Sequence, residues 1–205
     1  MIQIANLCSN SIAFYQQDGG NALVEAFYAD VQKYMDFTDP ETGKPSDWVG
    51  HWFDSNRINT DNLYTRGFFT ACEFYDTHVI VHMETAWSPL PEVWDLMAEK
   101  YNLSYVYIAE ECGMSIYVNT DSEGRFFSTR YIFDYFDVDC LELDSETANK
   151  YGKRLRGISG ETSYYDDFDD VMETFEEFKF NAKNIDELNK CLERFNISVH
   201  EYSSE

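Results

Sequence analysis

Seven carboxylates crowded into twelve residues are the side chains in this sequence whose types and spacing most suggest a function. They are Asp166, Asp167, Asp169, Asp170, Glu173, Glu176 and Glu177. One interpretation is a solvated helix face that keeps an acidic protein soluble. The other is an array of negative charge that imitates nucleic-acid phosphates, which in DNA recur at about one charge per 1.7 Å of axis, and that occupies a basic channel of another protein.

Two histidines and a glutamate could share one face of a strand. His78 and His82 lie four residues apart in a segment with strand composition, and Glu84 falls on the same side. A metal site needs at least three such ligands in tetrahedral or similar geometry. A polar sheet face with ordinary hydrogen bonds explains the pattern more simply. The sequence also lacks an HExxH motif, a Gly-rich phosphate loop and a GxSxG elbow, and we expect neither a metal nor a cofactor.

The five cysteines give a weaker indication of chemistry. Cys8 or Cys112 could act as a nucleophile with His78 or His82 as its base, but no neighbouring cation activates either thiol. The cysteine count is odd and no pair has metal-knuckle or redox spacing, which predicts reduced, mostly buried thiols in a cytoplasm. An enzyme that uses Cys and His on the sheet is therefore the alternative hypothesis.

The net charge limits the class of partner. The chain has 38 acidic and 15 basic residues among 205, for a formal charge of −23 and a pI near 4.3. Such a surface repels nucleic acid and anionic membranes and attracts basic proteins. Direct DNA or RNA binding is excluded on this ground, since phosphate contacts require clustered Lys and Arg. No apolar run reaches transmembrane length, so we expect a cytoplasmic protein.

The first two thirds of the chain have the pattern of an α+β domain. The predicted elements are a strand in Met1–Tyr15 interrupted by polar Asn6–Asn10, a helix from Ala22 to Met35, two strands joined by a hairpin in Phe68–Trp87, a helix capped by Ser88 with Pro89 first, and a strand in Leu103–Ile108. Met114–Val118 and Arg125–Phe133 are predicted as further strands. This order predicts a ferredoxin-like antiparallel sheet with two helices on one face, in a domain spanning residues 1–140.

Residues 37–66 are predicted to form an insertion in that domain. Turn-forming residues open it, and Trp48, Trp52 and Phe53 lie near its middle, in a short helix expected at Ser46–Phe53 with Ser46 as cap. Large aromatic side chains are usually buried, so packing against the domain is the favoured interpretation. An exposed apolar anchor for a partner is the alternative.

The last third is predicted to be a small acidic helical segment, residues 157–205. From Glu161 to Glu205 there are 13 acids and 4 bases. A helix is expected over Asp166–Phe180, and another from a capping box at Asn184 and Glu187 to Phe195. Before this segment lie acidic Asp134–Glu146, expected to be extended, and a basic run at Lys150–Arg156.

Three short motifs resemble the YubB ferredoxin-like family. They are Asn6-Leu7-Cys8-Ser9-Asn10, Trp87-Ser88-Pro89 and Cys112-Gly113-Met114, within a resemblance that covers roughly residues 1–136. Members of that family are encoded largely on plasmids and phages. The resemblance implies a ferredoxin-like fold and a mobile-element setting, in which an anti-defence role is plausible.

Together these observations predict a non-enzymatic inhibitor. It would bind a basic nucleic-acid-handling protein of the host, such as a CRISPR nuclease or a restriction enzyme, and block its nucleic-acid site. The seven carboxylates with Glu110 and Glu111 would contact Arg and Lys, and Trp48, Trp52 or Phe53 would supply an apolar anchor. A structural module that dimerises through its sheet is a further alternative.

Overall fold

The chain divides into two compact units. The computed structural model describes residues 6–204; the first unit extends to Ser122 and the second is Glu123–Ser204. The predicted first domain ran to residue 140, so the observed division lies earlier in the chain. The expected strand at Arg125–Phe133 accordingly belongs to the second unit, where only Tyr131–Phe133 is a strand.

The first unit contains a five-stranded antiparallel sheet and three α-helices. In chain order the elements are β1 (Leu7–Tyr15), α1 (Ala22–Val31), α2 (Val49–Asn56), β2 (Gly67–Tyr75), β3 (His78–Ala86), α3 (Pro91–Tyr101), β4 (Ser104–Glu111) and β5 (Ile116–Asn119). The strand order across the sheet is β2-β3-β1-β4-β5, and every neighbouring pair is antiparallel.

One face of this sheet packs against all three helices. Strand residues alternate between the two faces, so Ile12 and Phe14 of β1 enter the same core as Val79 and Val81 of β3. The helices contribute the remaining buried side chains, which include Val24 and Phe27 of α1, Trp52 and Phe53 of α2, and Val93, Trp94 and Met97 of α3. The expectation of two helices on this face omitted α2, which comes from the insertion.

The predicted polar interruption at Asn6–Asn10 is wrong over Leu7–Asn10, because β1 is continuous from Leu7. Asn10 is buried, and its side-chain amide donates to the carbonyl oxygen of Cys8 at 2.8 Å and to Thr85 Oγ1 at 2.9 Å. A buried polar group that is satisfied in this way is compatible with a sheet interior. The residues of the predicted strand before Asn6 lie outside the described part of the chain.

Two helix boundaries differ from the prediction. Helix α3 begins at Pro91, not at Pro89, and Leu90 precedes it. Helix α1 ends at Val31 and continues as a 3-10 turn at Gln32–Tyr34. Asn102 ends α3 in the left-handed conformation with φ of 49°, as an Asn after a helix often does.

The second unit pairs a three-stranded sheet with three helices. Its elements are β6 (Tyr131–Phe133), α4 (Ser145–Ile158), β7 (Ser163–Tyr165), α5 (Phe168–Thr174), α6 (Ile185–Leu192) and β8 (Val199–Glu201), with strand order β7-β6-β8. Its separate core is rich in phenylalanine, with Phe133, Phe175, Phe178 and Phe195 buried around Leu155 and Leu188. Helix α4 contains the basic run, and no helix was predicted there.

The start of α6 is as predicted. Asn184 Oδ1 accepts a hydrogen bond from the backbone N–H of Glu187 at 3.0 Å, and the Glu187 carboxylate accepts one from the N–H of Lys183.

Among residues 6–204, no helix combines the length and apolar character needed to cross a membrane.

Candidate functional site

The seven predicted contact carboxylates, which we call the acidic strip, all lie at the surface. Asp166, Asp167, Asp169, Asp170, Glu173, Glu176 and Glu177 are each exposed, whereas Val171, Phe175 and Phe178 between them are buried. The expected single helix over Asp166–Phe180 is wrong. Helix α5 ends at Thr174, and a 3-10 turn follows at Glu176–Phe178.

One member of the acidic strip also stabilises the fold. The Asp167 side chain accepts a hydrogen bond from the backbone N–H of Asp170 at 2.9 Å, which caps α5. Asp169 and Asp170 lie in the first turn, where the helix dipole favours negative charge. Glu173 and Glu177 lie beyond that turn and gain no such stabilisation, so the repulsion between them is not offset by the helix dipole.

Three glutamates of the acidic strip face cations across a groove of about 800 Å³ within the second unit. Lys150, Lys153 and Arg154 project from α4 on one side, and we call them the basic wall. The opposite side consists of Glu173, Glu176 and Glu177, which we call the acidic wall. The four aspartates of the strip do not line this groove.

Glu111 does not fit its predicted role. Only 6% of it is exposed, and its carboxylate accepts hydrogen bonds from the backbone N–H groups of Gly113 at 3.1 Å and Met114 at 2.6 Å. It therefore caps the 3-10 turn that follows β4 and offers no surface to a partner. Its neighbour Glu110 is half-buried.

The aromatic anchor prediction is also wrong for two of its three residues. Trp52 and Phe53 are fully buried in the first core, as the packing alternative predicted. Trp48 is half-buried, and its indole N–H donates to the carbonyl oxygen of Thr65 at 2.8 Å. The short helix begins at Val49, and Ser46 bonds the His51 ring instead of capping the helix.

His78 and His82 lie on the face of the first sheet opposite the three helices, on one side of β3 as predicted. Ser11 Oγ and His82 Nδ1 are 2.9 Å apart, and His82 Nε2 is 3.8 Å from Glu73 Oε1. Tyr75 donates to Glu73 Oε2 at 2.7 Å and stacks on His78. Within the described range, no three His, Cys, Asp or Glu side chains are grouped so as to hold a metal ion.

The Ser11–His82 pair has two features that disfavour acyl transfer. Glu73 is too far from His82 for a hydrogen bond, so it does not fix the orientation of the ring. Ser11 lies in the middle of β1, between β3 and β4, and its neighbouring backbone groups belong to the ladders on both sides. An oxyanion hole requires backbone donors that are free to bind substrate, and the ladder groups beside Ser11 are already engaged in the sheet.

Cys8 is buried, and the alternative in which it pairs with His78 or His82 does not fit the structure. Its side chain is on the helix-covered face of the sheet, whereas His78 and His82 lie on the other face. Burial raises the pKa of Cys8 to about 11, which removes the thiolate needed for attack. Cys112 and Cys140 are exposed, so the thiols are less uniformly buried than predicted.

Sequence reasoning missed the basic wall and the contacts of Ser11 and Glu73. The basic run was visible, but its helix was not, because Gly152 and Gly157 interrupt a segment with few apolar positions. The one available signal was Asp144, whose side chain accepts hydrogen bonds from the N–H groups of Glu146 and Thr147 and caps α4.

The chain matches no protein-family model, no curated protein and no solved structure.

Proposed function

We propose that this protein is a non-enzymatic inhibitor that binds a basic nucleic-acid-handling protein and blocks its nucleic-acid site. The observation that carries the proposal is the exposure of all seven carboxylates of the acidic strip. Val171, Phe175 and Phe178 are buried while the acids around them are exposed, which leaves a dense anionic surface available to a partner.

The composition leaves the chain with many more acids than bases. With 38 acids and 15 Lys and Arg, at least 23 carboxylates have no basic residue to pair with one to one. Ion pairs such as Lys33–Asp30 and Arg156–Asp139 use some of the few cations elsewhere. Binding to a cationic site relieves this repulsion and releases the counterions held by both surfaces.

The four aspartates are the preferred contact residues within the acidic strip. The basic wall lines the same groove as the three glutamates, and its opposite charge weakens the field that they present to a partner. Asp166, Asp167, Asp169 and Asp170 lie outside this groove. We therefore assign the strongest contacts with partner Arg and Lys to the aspartates.

The proposed mobile-element origin depends on the family resemblance. We infer a ferredoxin-like arrangement for the first unit, because its first four strands have the order β2-β3-β1-β4, with α1 following β1 and α3 following β3. This arrangement agrees with the resemblance to the YubB family. An anti-CRISPR or anti-restriction role is the corresponding proposal for the partner class.

The proposal is tested by capture from a host lysate. Immobilised protein is incubated with lysate, the resin is washed at about 0.05 M and about 0.5 M salt, and captured proteins are challenged with duplex DNA and with RNA. We expect a basic protein that is retained at low salt, released at high salt and displaced by its own nucleic acid. Retention that is independent of both salt and nucleic acid would contradict the proposal.

A further inference from the structure

The groove between α4 and the segment Glu173–Phe178 has walls of opposite charge. Lys150, Lys153 and Arg154 are spaced by three and four residues on α4, so they share one helix face. Glu173, Glu176 and Glu177 have the same spacing on the other side. Each wall therefore concentrates three like charges, which repel one another in the absence of a counter-charge.

The two walls do not neutralise each other directly. Among residues 6–204, no side-chain nitrogen of the basic wall lies within the 4.0 Å ion-pair distance of a carboxylate oxygen of the acidic wall. The groove holds about 800 Å³, inside the 300–1,000 Å³ range typical of small-ligand sites. The space between the walls is thus large enough for a molecule to lie between the opposing charges.

An aromatic contact joins the two sides of the groove. The rings of Tyr151 and Phe178 are stacked, with centroids 6.1 Å apart and planes at 6°, and both residues are buried. Lys150 Nζ lies 4.9 Å from the centroid of the Tyr151 ring, and this cation lowers the pKa of the tyrosine hydroxyl. The basic wall is therefore partly positioned before any ligand arrives.

We propose that this groove binds a small dipolar ligand, with an anionic carboxylate or phosphate against the basic wall and an amine or guanidinium against the acidic wall. Ile158 and Phe178 line the groove and supply apolar contact for the body of the ligand. A ligand with charge of only one sign satisfies one wall and is repelled by the other. The inhibitor proposal assigns its strongest contacts to the aspartates outside the groove, so the two proposals share only the three glutamates of the acidic wall.

The probe for this proposal is the peptide acetyl-Glu-Gly-Gly-Lys-amide, compared with two controls in which Glu is replaced by Gln or Lys by Gln. Isothermal titration calorimetry with the full chain at low salt measures each affinity. We expect the dipolar peptide to bind, and each control to bind roughly three- to five-fold more weakly for the ion pair it has lost. O-phosphoethanolamine serves as the second probe, because it presents a phosphate in place of the carboxylate.

Matched variants test whether the dipolar probes bind in the groove. Lys153→Gln and Glu173→Gln each remove one charge from a wall, whereas Lys190→Gln and Glu193→Gln remove exposed charges of the same unit outside the groove. Only the first pair should weaken binding of the dipolar probes, and thermal unfolding should be unchanged in all four. The proposal is overturned if the dipolar peptide binds no more tightly than its two singly charged controls, or if both pairs of variants weaken binding of the dipolar probes equally.

Discussion

The carboxylate of Asp167 accepts a hydrogen bond from the backbone N–H of Asp170, at 2.9 Å, and thereby links two residues of the acidic strip. Replacing a capping Asp by Ala costs about 0.5–2 kcal/mol of stability. Asp167→Ala should therefore lower the free energy of unfolding, as measured by urea denaturation. The neighbouring Asp166→Ala removes an equal charge without removing the cap and should leave stability nearly unchanged. Equal effects of the two would show that charge alone matters here.

Asp144 should make the stability of α4 depend on pH. Hydrogen bonds from the N–H and hydroxyl of Thr147 and from the N–H of Glu146 lower the pKa of this carboxyl below its ordinary value of 3.8. Because the pKa is depressed in the folded state, the ionised group stabilises the protein above pH 3.8, and this contribution disappears as the pH falls through the folded-state pKa.

The Asp144→Ala variant should therefore be less stable than the parent protein at pH 7, and the difference should shrink as the pH falls through the folded-state pKa of Asp144. Thermal unfolding across this range measures the difference, with Glu142→Ala, an exposed acid nearby, as the control. A stability difference that persists unchanged at the acid end would contradict the assigned role.

Two glycines should respond oppositely to alanine. Gly152 lies inside α4 with open space around it, so Gly152→Ala should stabilise the protein by about 0.5–1 kcal/mol. A Cβ on Gly50 would instead overlap the indole of Trp48, which is held by its bond to Thr65. Gly50→Ala should lower the melting temperature. Stabilisation by Gly50→Ala would show that Trp48 moves without cost.

Thiol reactivity should follow burial and not the predicted pairing with histidine. Burial raises the pKa of Cys72 to about 12 and that of Cys8 to about 11, whereas Cys112 and Cys140 are exposed. In the folded protein at pH 8, a thiol reagent such as DTNB should modify Cys112 and Cys140 first, as peptide mapping would reveal. Rapid modification of Cys8 would contradict its burial and would favour the alternative hypothesis that Cys8 is a nucleophile.

The features that the sequence predicted depend on local signals. The cap of α6 at Asn184 requires only neighbouring residues, and it occurs as predicted. The exposure of the acidic strip follows from its charge. These parts of the fold and the candidate site are determined within a few residues along the chain.

The features that were missed depend on distant residues or on competition between neighbours. Strand β6 has three residues and pairs with β8, far away in the sequence, so the boundary between the units could not be placed from the local pattern. The buried role of Glu111 requires the turn that follows it. The helix over the strip breaks at Phe175, where the backbone is not helical and the ring enters the core.

The most direct test of the central claim is the affinity of charge-reversed protein for the basic partner captured from lysate. Asp166→Lys, Asp169→Lys and Asp170→Lys together reverse the aspartate end of the strip and spare the cap at Asp167. Glu41→Lys, Asp61→Lys and Glu99→Lys reverse three exposed acids of the first unit and change the net charge equally. We predict that the first triple variant, while folded, binds at least roughly ten-fold more weakly and no longer blocks nucleic-acid binding, and that the second retains most of its affinity. Equal affinities for both triple variants, whether lowered or unchanged, would contradict the assignment of function to the acidic strip.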